Sequence, residues 1–271
     1  MRSRTARASG QLVVGIYGQG TVTGRMGSVT YLLWRHELDD GLVTTIYATR
    51  HAAARTRVVL FDQPQRLDVW CRSTGVDEAI VGGFFVREPY RPLGDVWTDG
   101  RQGTHEPAPD PYAQRRACVV VTDSGVDICA RAEAPARPAG DLLQAGPLLV
   151  AGGAVAFDPE ADHEGFSAGA QQFDSDITAE RHPRAALGIC DGELIAVTCD
   201  GRRTGVDAGL SMSELAQVMV DLGAQRAINL DGGGSATHVH HGHLLNRPYS
   251  DQDQPGPESR PVVTALALEH L

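Results

Sequence analysis

The sequence has few cysteines, and their spacing excludes the usual cysteine motifs. There are five of them, an odd number, and no two form a CxxC pair. A structural zinc site needs such closely spaced ligands, so we expect none among the cysteines. An odd number without a paired pattern also gives no disulfide framework. We predict that all five are buried thiols of a cytoplasmic protein: Cys71, Cys118, Cys129, Cys190 and Cys199.

Long apolar runs and an excess of basic residues are absent as well. The apolar run at residues 12–17 follows a basic N-terminus but is interrupted by Gly15, so it is too short for a secretory signal. No stretch is long enough to span a bilayer. The formal net charge is -10, whereas nucleic acids are bound by clusters of Lys and Arg. We therefore expect neither a membrane nor a nucleic acid as partner.

Strands and turns dominate what the sequence does contain. Its 271 residues are 42% hydrophobic, which allows a substantial core in a globular protein. Short apolar runs predict strands at residues 12–17, 29–34, 43–48, 58–61, 118–122 and 187–190. Asp191-Gly192 is a two-residue hairpin signal, and His241-Gly242 predicts a second hairpin.

Two helices are predicted. Residues 211–222 carry apolar side chains at helical spacing, and Gly223 follows as a stop signal. Ser211 and Glu214 have the spacing of a capping box, which favours a structural role for Glu214 over a catalytic one. The second helix is predicted at residues 65–73. Long polar segments predict loops of the length typical of lids or binding segments, and none of them reads as an interdomain linker: 101–116, 132–140, 158–182 and 250–260.

The strongest candidate for a binding site is the segment NLDGGGSAT at residues 229–237, which follows a predicted strand. Each glycine loses much conformational entropy on folding, so three in a row indicate a backbone shape or a ligand approach that other residues prevent. Their N–H groups can form an anion-binding nest suited to a phosphate or a sugar. The alternative is a tight connection between strands. The segment lacks the GxGxxG order and the following Lys of nucleotide-binding motifs.

Several segments, in order along the chain, resemble the phosphodiester glycosidase domain. They are AIVGGFF at 79–85, LLQAGPLLVAGG at 142–153, RAALGICDGELIAVTCDGR at 184–202, INLDGGGS at 228–235, LLNRP at 244–248 and SRPVVTALAL at 259–268. The resemblance implies an α/β (α+β) fold, a single domain with mixed β-sheets and few helices. It assigns residues 76–271 to a phosphodiester glycosidase-like core and residues 1–75 to an N-terminal, strand-rich part of the same domain.

The resemblance also implies a set of substrate-binding residues. They are Gly82, Gly83, Phe85, Arg184, Arg202, Asn229, Gly232, Gly233, Gly234, Ser235, Thr237, Asn246 and Arg260.

Four positions depart from the family's pattern. Val81 stands where the family has an Asn, Ala185 where it has a Thr, Ala236 where it has a Ser and His238 where it has an apolar residue. The loss of the Asn side chain beside the expected pocket leaves open a change of specificity or of reaction.

The implied reaction breaks the bond between a sugar and a phosphate, which leaves as a stabilised anion. Stabilisation of charge is then more important than the strong acid assistance that ordinary glycosidases obtain from a second carboxylate. Arg184 and Arg202 are expected to bind the phosphate, with Arg184 the better placed. Asp231 is the first candidate for a base that activates water or for a group that stabilises the developing cation, and Asp200 is the second. Either aspartate can instead be a turn residue that binds its own backbone.

Four histidines near the C-terminus raise the question of a metal, and we predict no metal site and no cofactor. His238 and His240 share one face of a strand, while His241 and His243 flank the turn. No acidic residue lies close by in the sequence to complete a site, and ligand type alone is weak evidence. His238 is instead a third catalytic candidate, because it can replace a missing general acid or base.

The sequence thus predicts a cytoplasmic hydrolase that cleaves the sugar–phosphate bond of a glycosyl phosphodiester or a related phosphorylated glycoside. One alternative is a biosynthetic enzyme that uses the same site for another reaction on a sugar phosphate, favoured by the four departures and the missing export signal. The other is a noncatalytic carbohydrate-phosphate binding protein, which could keep the same anion cradle. The sequence does not indicate the sugar, the aglycone, the anomer or the oligomeric state.

Overall fold

The computed structural model describes residues 22–26, 29–52, 55–167, 178–248 and 259–268. Regular structure in these ranges is mostly β-strand, arranged in several sheets, with two α-helices. The predicted fold class, one mixed domain with few helices, is confirmed.

The strands and helices follow one another in chain order. The first group is β1 (Val22–Met26), β2 (Val29–Glu37), β3 (Val43–Ala52), β4 (Thr56–Gln65), α1 (Leu67–Thr74), β5 (Ala79–Val81), β6 (Phe85–Arg87), β7 (Tyr90–Pro92), β8 (Val96–Thr98), β9 (Arg101–Gln102), β10 (Ala117–Thr122), β11 (Gly125–Ala130), β12 (Asp141–Gln144), β13 (Leu148–Ala151) and β14 (Ala154–Val155). The second group is β15 (Arg184–Cys190), β16 (Glu193–Cys199), α2 (Met212–Asp221), β17 (Arg226–Asn229), β18 (His238–His240), β19 (His243–Leu244) and β20 (Val262–Leu268). Short 3-10 turns lie at Tyr112–Gln114 and Gly233–Ser235.

Three larger sheets and one two-stranded sheet, β6-β7, organise these strands. The largest has eight strands in the order β1-β2-β3-β16-β15-β17-β13-β14. A five-stranded sheet has the order β19-β18-β5-β20-β4, and another has the order β11-β10-β12-β8-β9. Strands distant in sequence are therefore neighbours, and the residues at their ends meet in space.

The core lies on both faces of the eight-stranded sheet. Alternation along β16 directs Leu194 and Ala196 to one face and Ile195 and Val197 to the other. The first face packs against the sheet that contains β5 and β20, and the second packs against α2. The layers hold the end of β17 rigidly beside the turn after β5, where the candidate site forms.

Both predicted hairpins are confirmed by their turn geometry. Asp191 and Gly192 have φ values of 50° and 81°, and His241 and Gly242 have values of 50° and 73°. Two successive residues with positive φ are what a type I′ turn requires. The turns join β15 to β16 and β18 to β19.

The capped helix is confirmed as well. The N–H of Glu214 donates to the Ser211 hydroxyl at 3.3 Å, and the Glu214 carboxylate accepts from the Ser211 N–H at 2.8 Å. Glu214 also binds the Arg181 guanidinium, so its role is structural. The other helix begins at Leu67 rather than at residue 65, because Gln65 still belongs to β4 and pairs with Val262.

Other expectations are met in part. All five cysteines are buried free thiols, as predicted. The loop predicted at 101–116 contains the short strand β9 and one 3-10 turn. The strand predicted at 12–17 lies outside the described residues, as do 168–177 and 250–258 of the predicted loops. In the described part of the chain, no helix has both the length and the apolar character to cross a membrane.

Candidate active site

The candidate site forms where β17 ends and the glycine loop, residues 231–235, begins. The N–H of Asp231 donates to the Gly82 carbonyl at 2.9 Å, which attaches the loop to the turn after β5. The N–H of Gly233 donates to the Pro183 carbonyl at 2.8 Å, which attaches it to the segment before β15. Two rigid segments therefore fix the loop.

The predicted nest of converging N–H groups is largely absent. The N–H of Gly232 donates to Asp231 Oδ1 at 2.9 Å, and that of Ser235 donates to the Gly232 carbonyl at 3.1 Å. A 3-10 turn and the contact with Pro183 thus use most of the donors. Gly234 itself is buried, so the loop does not offer the three converging donors that the glycine run predicts.

The close approach of neighbouring segments to the loop explains the glycines instead. A Cβ on Gly232 would lie 2.9 Å from the Pro183 carbonyl oxygen. Gly233 has φ +58°, and a Cβ there would lie 3.1 Å from Nη1 of Arg202. The contact at Gly232 is shorter than a side chain tolerates, and the positive φ of Gly233 disfavours any other residue there. The glycines thus let Pro183 and Arg202 lie against the loop.

Three arginines lie around the glycine loop. Arg202, whose own φ is 57°, lies against Gly233. Its Nε atom lies 3.3 Å from Nδ1 of His182, and its Nη2 atom lies 3.2 Å from the same nitrogen. The main chain of Arg260 is anchored to the loop, since its N–H donates to the Gly234 carbonyl at 3.4 Å. Arg87, at the end of β6, is exposed, and its charge acts on Asp231 together with that of Arg260. The site is locally cationic although the chain is acidic.

Asp231 is the carboxyl of this cationic site. Burial raises its pKa to about 6, against the opposing effects of the Ser235 hydroxyl, the Arg260 charge, the Gly232 N–H and the Arg87 charge. The residue is still partly exposed. A carboxyl whose pKa is raised towards neutrality is suited to proton transfer.

Arg184 uses its guanidinium to bind the main chain beside the glycine loop. Its guanidinium is buried and donates to two main-chain carbonyls, from Nε to Leu210 at 2.9 Å and from Nη2 to Glu180 at 2.7 Å. These bonds hold neighbouring loops together. Both arginines lie at the glycine loop, since a Cβ on Gly232 would be 3.9 Å from Arg184 Cδ and one on Gly233 would be 3.1 Å from Arg202 Nη1. That Arg184 is better placed than Arg202 for the phosphate stays a prediction.

Several other predicted binding residues form the framework of the site. Gly83 is needed because a Cβ would lie 2.6 Å from the Gln144 carbonyl, and Gly82 has no room beside Thr264. The Thr237 hydroxyl is buried and donates to the Ser235 carbonyl at 2.9 Å. These residues shape the loop from behind rather than offer groups to a ligand.

The two predicted asparagines also brace the main chain. Asn246 accepts from the His238 N–H and donates to the Ala236 carbonyl, both at 2.8 Å. Asn229 donates to the Gly146 carbonyl at 2.9 Å, and its buried Oδ1 has no hydrogen-bond partner in the described part of the chain. Phe85 lies half-buried in β6, with its ring 6.0 Å from that of Tyr90.

Asp200, the second catalytic candidate, is enclosed. Burial raises its pKa to about 6 as well. One oxygen accepts the Tyr47 hydroxyl at 3.0 Å and the other accepts the Arg247 N–H at 2.8 Å. With 1% of its surface exposed, Asp200 has no oxygen left for a substrate.

Another carboxyl with a raised pKa, Glu164, is also occupied. Burial raises its pKa to about 6, and its oxygens accept the N–H groups of Ala117 and Leu148, each at 2.7 Å. Glu164 therefore holds two strands at their ends.

His238 is not suited to catalysis near neutral pH. It is completely buried, with Nε2 2.9 Å from the Thr49 hydroxyl and Nδ1 3.4 Å from the Thr198 hydroxyl. Burial lowers its pKa to about 3, so the ring stays neutral. The side chain packs against the eight-stranded sheet, and its role is structural.

The reason given for excluding a metal near the histidines also fails. Glu78 is distant in sequence, but its carboxylate lies 2.9 Å from Nδ1 of His240 and 3.8 Å from Nδ1 of His241. Sequence reasoning missed this residue, and it missed Arg87 and His182 at the candidate site. Only the pairing of distant segments places them, so no local signal could have found them.

Comparisons with known proteins give the family and the fold. The sequence model of the family described as phosphodiester glycosidase (NAGPA) matches residues 74–269, whereas a search of curated proteins found no match. The catalytic domain of zebrafish N-acetylglucosamine-1-phosphodiester alpha-N-acetylglucosaminidase, auto-inhibited by pro-peptide, has a similar structure, with TM-score 0.71 and 20% identity over 93% of this chain and 88% of that one.

Two bacterial structures share the fold. A hypothetical protein from Synechocystis has TM-score 0.63 and 19% identity over 92% of this chain, which spans 64% of that protein's length. A protein from Burkholderia pseudomallei, described as exported, has TM-score 0.63 and 17% identity over 84% of this chain and 74% of that one. The cytoplasmic location expected for the present chain stays a prediction.

Proposed function

Because the chain belongs to the phosphodiester glycosidase family, we propose that it hydrolyses a glycosyl phosphodiester between the sugar C1 and the phosphate oxygen. The observation that carries this proposal is Asp231, a partly exposed residue of the glycine loop whose carboxyl has a raised pKa and is influenced by the charges of two arginines. The products are a free sugar and a phosphomonoester.

The arginines favour a phosphorylated substrate. Guanidinium groups are the usual partners of phosphate oxygens. The Arg202 guanidinium lies beside Gly233 and would bind a phosphate there together with its contact to His182. Arg87 and Arg260 add positive charge around Asp231. A phosphodiester carries one negative charge and its monoester product up to two, so the cationic site stabilises the leaving group as its charge grows.

Asp231 acts on the sugar side of the bond. As the carboxylate it accepts a proton from the attacking water, whose oxygen forms a bond to C1 while the bond from C1 to the phosphate oxygen breaks. The electron pair of that bond leaves with the phosphate, so no separate acid is needed. The raised pKa of Asp231, about 6, makes it a stronger base than an ordinary aspartate.

Turnover of defined substrates tests this proposal. Both anomers of several hexose 1-phosphodiesters would be incubated with the protein, beginning with the N-acetylglucosamine compound, and sugar and phosphomonoester would be quantified by NMR. We expect equal amounts of both products from at least one substrate. Asp231→Asn should remove the activity, whereas Asp123→Asn, at an exposed turn between β10 and β11, should retain it.

The rival functions give different results. Thermal stabilisation by the phosphodiesters without any product would indicate a binding protein. Consumption of substrate with transfer of the sugar to an acceptor other than water would indicate a biosynthetic enzyme. If no phosphodiester is bound or cleaved, the proposed substrate class is wrong.

A further inference from the structure

The far end of the β18–β19 hairpin carries a group of potential metal ligands outside the candidate active site. The register of β18 against β5 pairs His238 with Ile80 and Val239 with Ala79. Continuing that register by one residue places His240 beside Glu78. His241 follows in the turn at φ 50°, so three side chains meet at one end of the five-stranded sheet.

The main chain holds this end of the sheet in place. The N–H of Leu268 donates to the Glu78 carbonyl, and that of Gly242 donates to the Asp77 carbonyl, both at 2.9 Å. The His241 N–H donates to Glu78 Oε1 at 3.1 Å. The positions of the ligand atoms are therefore set by hydrogen bonds of the backbone and not by side-chain contacts alone.

The distances between the ligand atoms match those of a small tetrahedral cation. Glu78 Oε2 lies 2.9 Å from His240 Nδ1, and Glu78 Oε1 lies 3.8 Å from His241 Nδ1. One ligand atom from each residue falls within 4.8 Å of the others. Donors bound to zinc at its usual distances, in a tetrahedron, are about 3.3 Å apart, so small side-chain movements would complete the site.

The burial of the group also favours a cation. The side chains of Glu78 and His240 are 1% and 6% exposed, whereas that of His241 is 27% exposed. A cation that binds the buried carboxylate and imidazole supplies contacts in place of the water that both groups have lost. The more exposed His241 leaves one side of the group open, which gives an ion a path to the buried ligands.

We propose that Glu78, His240 and His241 bind a divalent transition-metal ion such as Zn²⁺, with a fourth position left for water. Two imidazoles and one carboxylate suit zinc and its neighbours better than Ca²⁺ or Mg²⁺, which prefer more oxygen ligands. The ion joins β5 to the hairpin and so stabilises the strand that begins just after the glycine loop. This proposal does not depend on the proposed hydrolysis.

Zinc binding by tag-free protein, previously dialysed against a chelator, tests the proposal. Calorimetric titration with Zn²⁺ alone should show one site per chain, and saturating Zn²⁺ should raise the Tm by several degrees, because it binds the folded state. Ca²⁺ and Mg²⁺ at the same concentration should leave the Tm unchanged. Absence of a Zn²⁺ site overturns the proposal.

Matched histidine variants locate the site. His241→Asn keeps a residue that tolerates positive φ, and it should weaken Zn²⁺ binding about tenfold or more. His243→Asn changes an exposed histidine of the same hairpin outside the group, and it should bind Zn²⁺ as the parent does. Equal affinities of both variants, or a loss confined to His243→Asn, would contradict the assignment.

Substitution of the buried carboxylate provides a second test. Glu78→Gln keeps the shape and the acceptor for the His241 N–H but supplies a poor metal ligand. It should fold, with a Tm that no longer responds to Zn²⁺. A Tm that still rises as in the parent would show that the ion binds elsewhere.

Discussion

Asp231 and Asp200 have the same sequence signature and opposite surroundings. Each follows a strand, precedes a glycine and has a pKa raised to about 6 by burial. The oxygens of Asp200 are taken by the Tyr47 hydroxyl and the Arg247 N–H. The carboxyl of Asp231 accepts the adjacent Gly232 N–H and is influenced by the Ser235 hydroxyl, and the residue as a whole remains partly exposed.

The difference shows what a raised pKa means. It reports that a carboxyl has lost water, and this happens in a closed core as readily as in an active site. A carboxyl can act on a substrate only where an oxygen can be reached. The partial exposure of the residue and the nearby arginine charges therefore favour Asp231 over Asp200.

The largest effect should separate the two aspartates in turnover. Asp231→Asn removes the base and should lower kcat about a hundredfold or more with little change in KM. Asp200→Asn can keep both contacts, since its amide oxygen accepts from Arg247 N–H and its NH2 donates to Tyr47. We expect kcat to stay close to that of the parent, as measured in steady state with circular dichroism to verify folding. Equal losses in the two variants would remove the distinction.

Arginine substitutions should give the next largest effect. Arg202→Lys keeps the charge but loses the planar fork, so KM for the phosphodiester should rise about tenfold. The affinity for the free sugar should be unchanged.

Arg184→Lys is the comparison for that variant. Lys cannot reach both the Leu210 and Glu180 carbonyls as the Arg184 guanidinium does, so the Tm should fall while KM changes little. A large rise of KM in Arg184→Lys with a normal Tm would identify Arg184 as the phosphate ligand.

Local signals explain the parts of the fold that the sequence predicts well. Asp191-Gly192 and Ser211 with Glu214 determine a hairpin and a helix start through contacts between near neighbours in the chain. The run of three glycines identifies the loop, and the family resemblance adds the chemistry implied for Asp231. These features need no knowledge of which strands pair.

The remainder of the site depends on long-range pairing. The charge of Arg87 in β6 acts on Asp231, and Glu78 meets His240 across two strands. Neither interaction follows from the composition of its own segment. The position of Arg184 shows the converse, because a motif residue can be used by the framework instead of the ligand. Sequence motifs indicate where a site lies, while packing decides which atoms face it.

A smaller effect is expected in stability. The pKa of the Asp231 carboxyl is about 6 in the folded protein and near the ordinary 3.8 in the unfolded chain. Protonation therefore favours the folded state at low pH, and this contribution to stability is lost as the pH rises from 3.8 through about 6. Asn carries no charge at any pH. At pH 8 Asp231→Asn should be more stable than the parent by about 1 kcal/mol, after allowance for partial exposure.

Urea unfolding at pH 4 and pH 8 measures this difference. The advantage of Asp231→Asn should disappear at pH 4, where the parent carboxyl is protonated. An advantage of the same size at both values would mean that charge burial is not its cause.

The pH dependence of kcat/KM tests most directly whether Asp231 is the catalytic base. In the parent, kcat/KM should rise with pH through about 6, the value for Asp231, and then level off, because the carboxylate is the active form. The same limb should persist in Asp200→Asn and in Glu164→Gln, which remove the other carboxyls with raised pKa. A limb that disappears in either variant, or a profile that is flat across pH 6 in the parent, would contradict the assignment of Asp231.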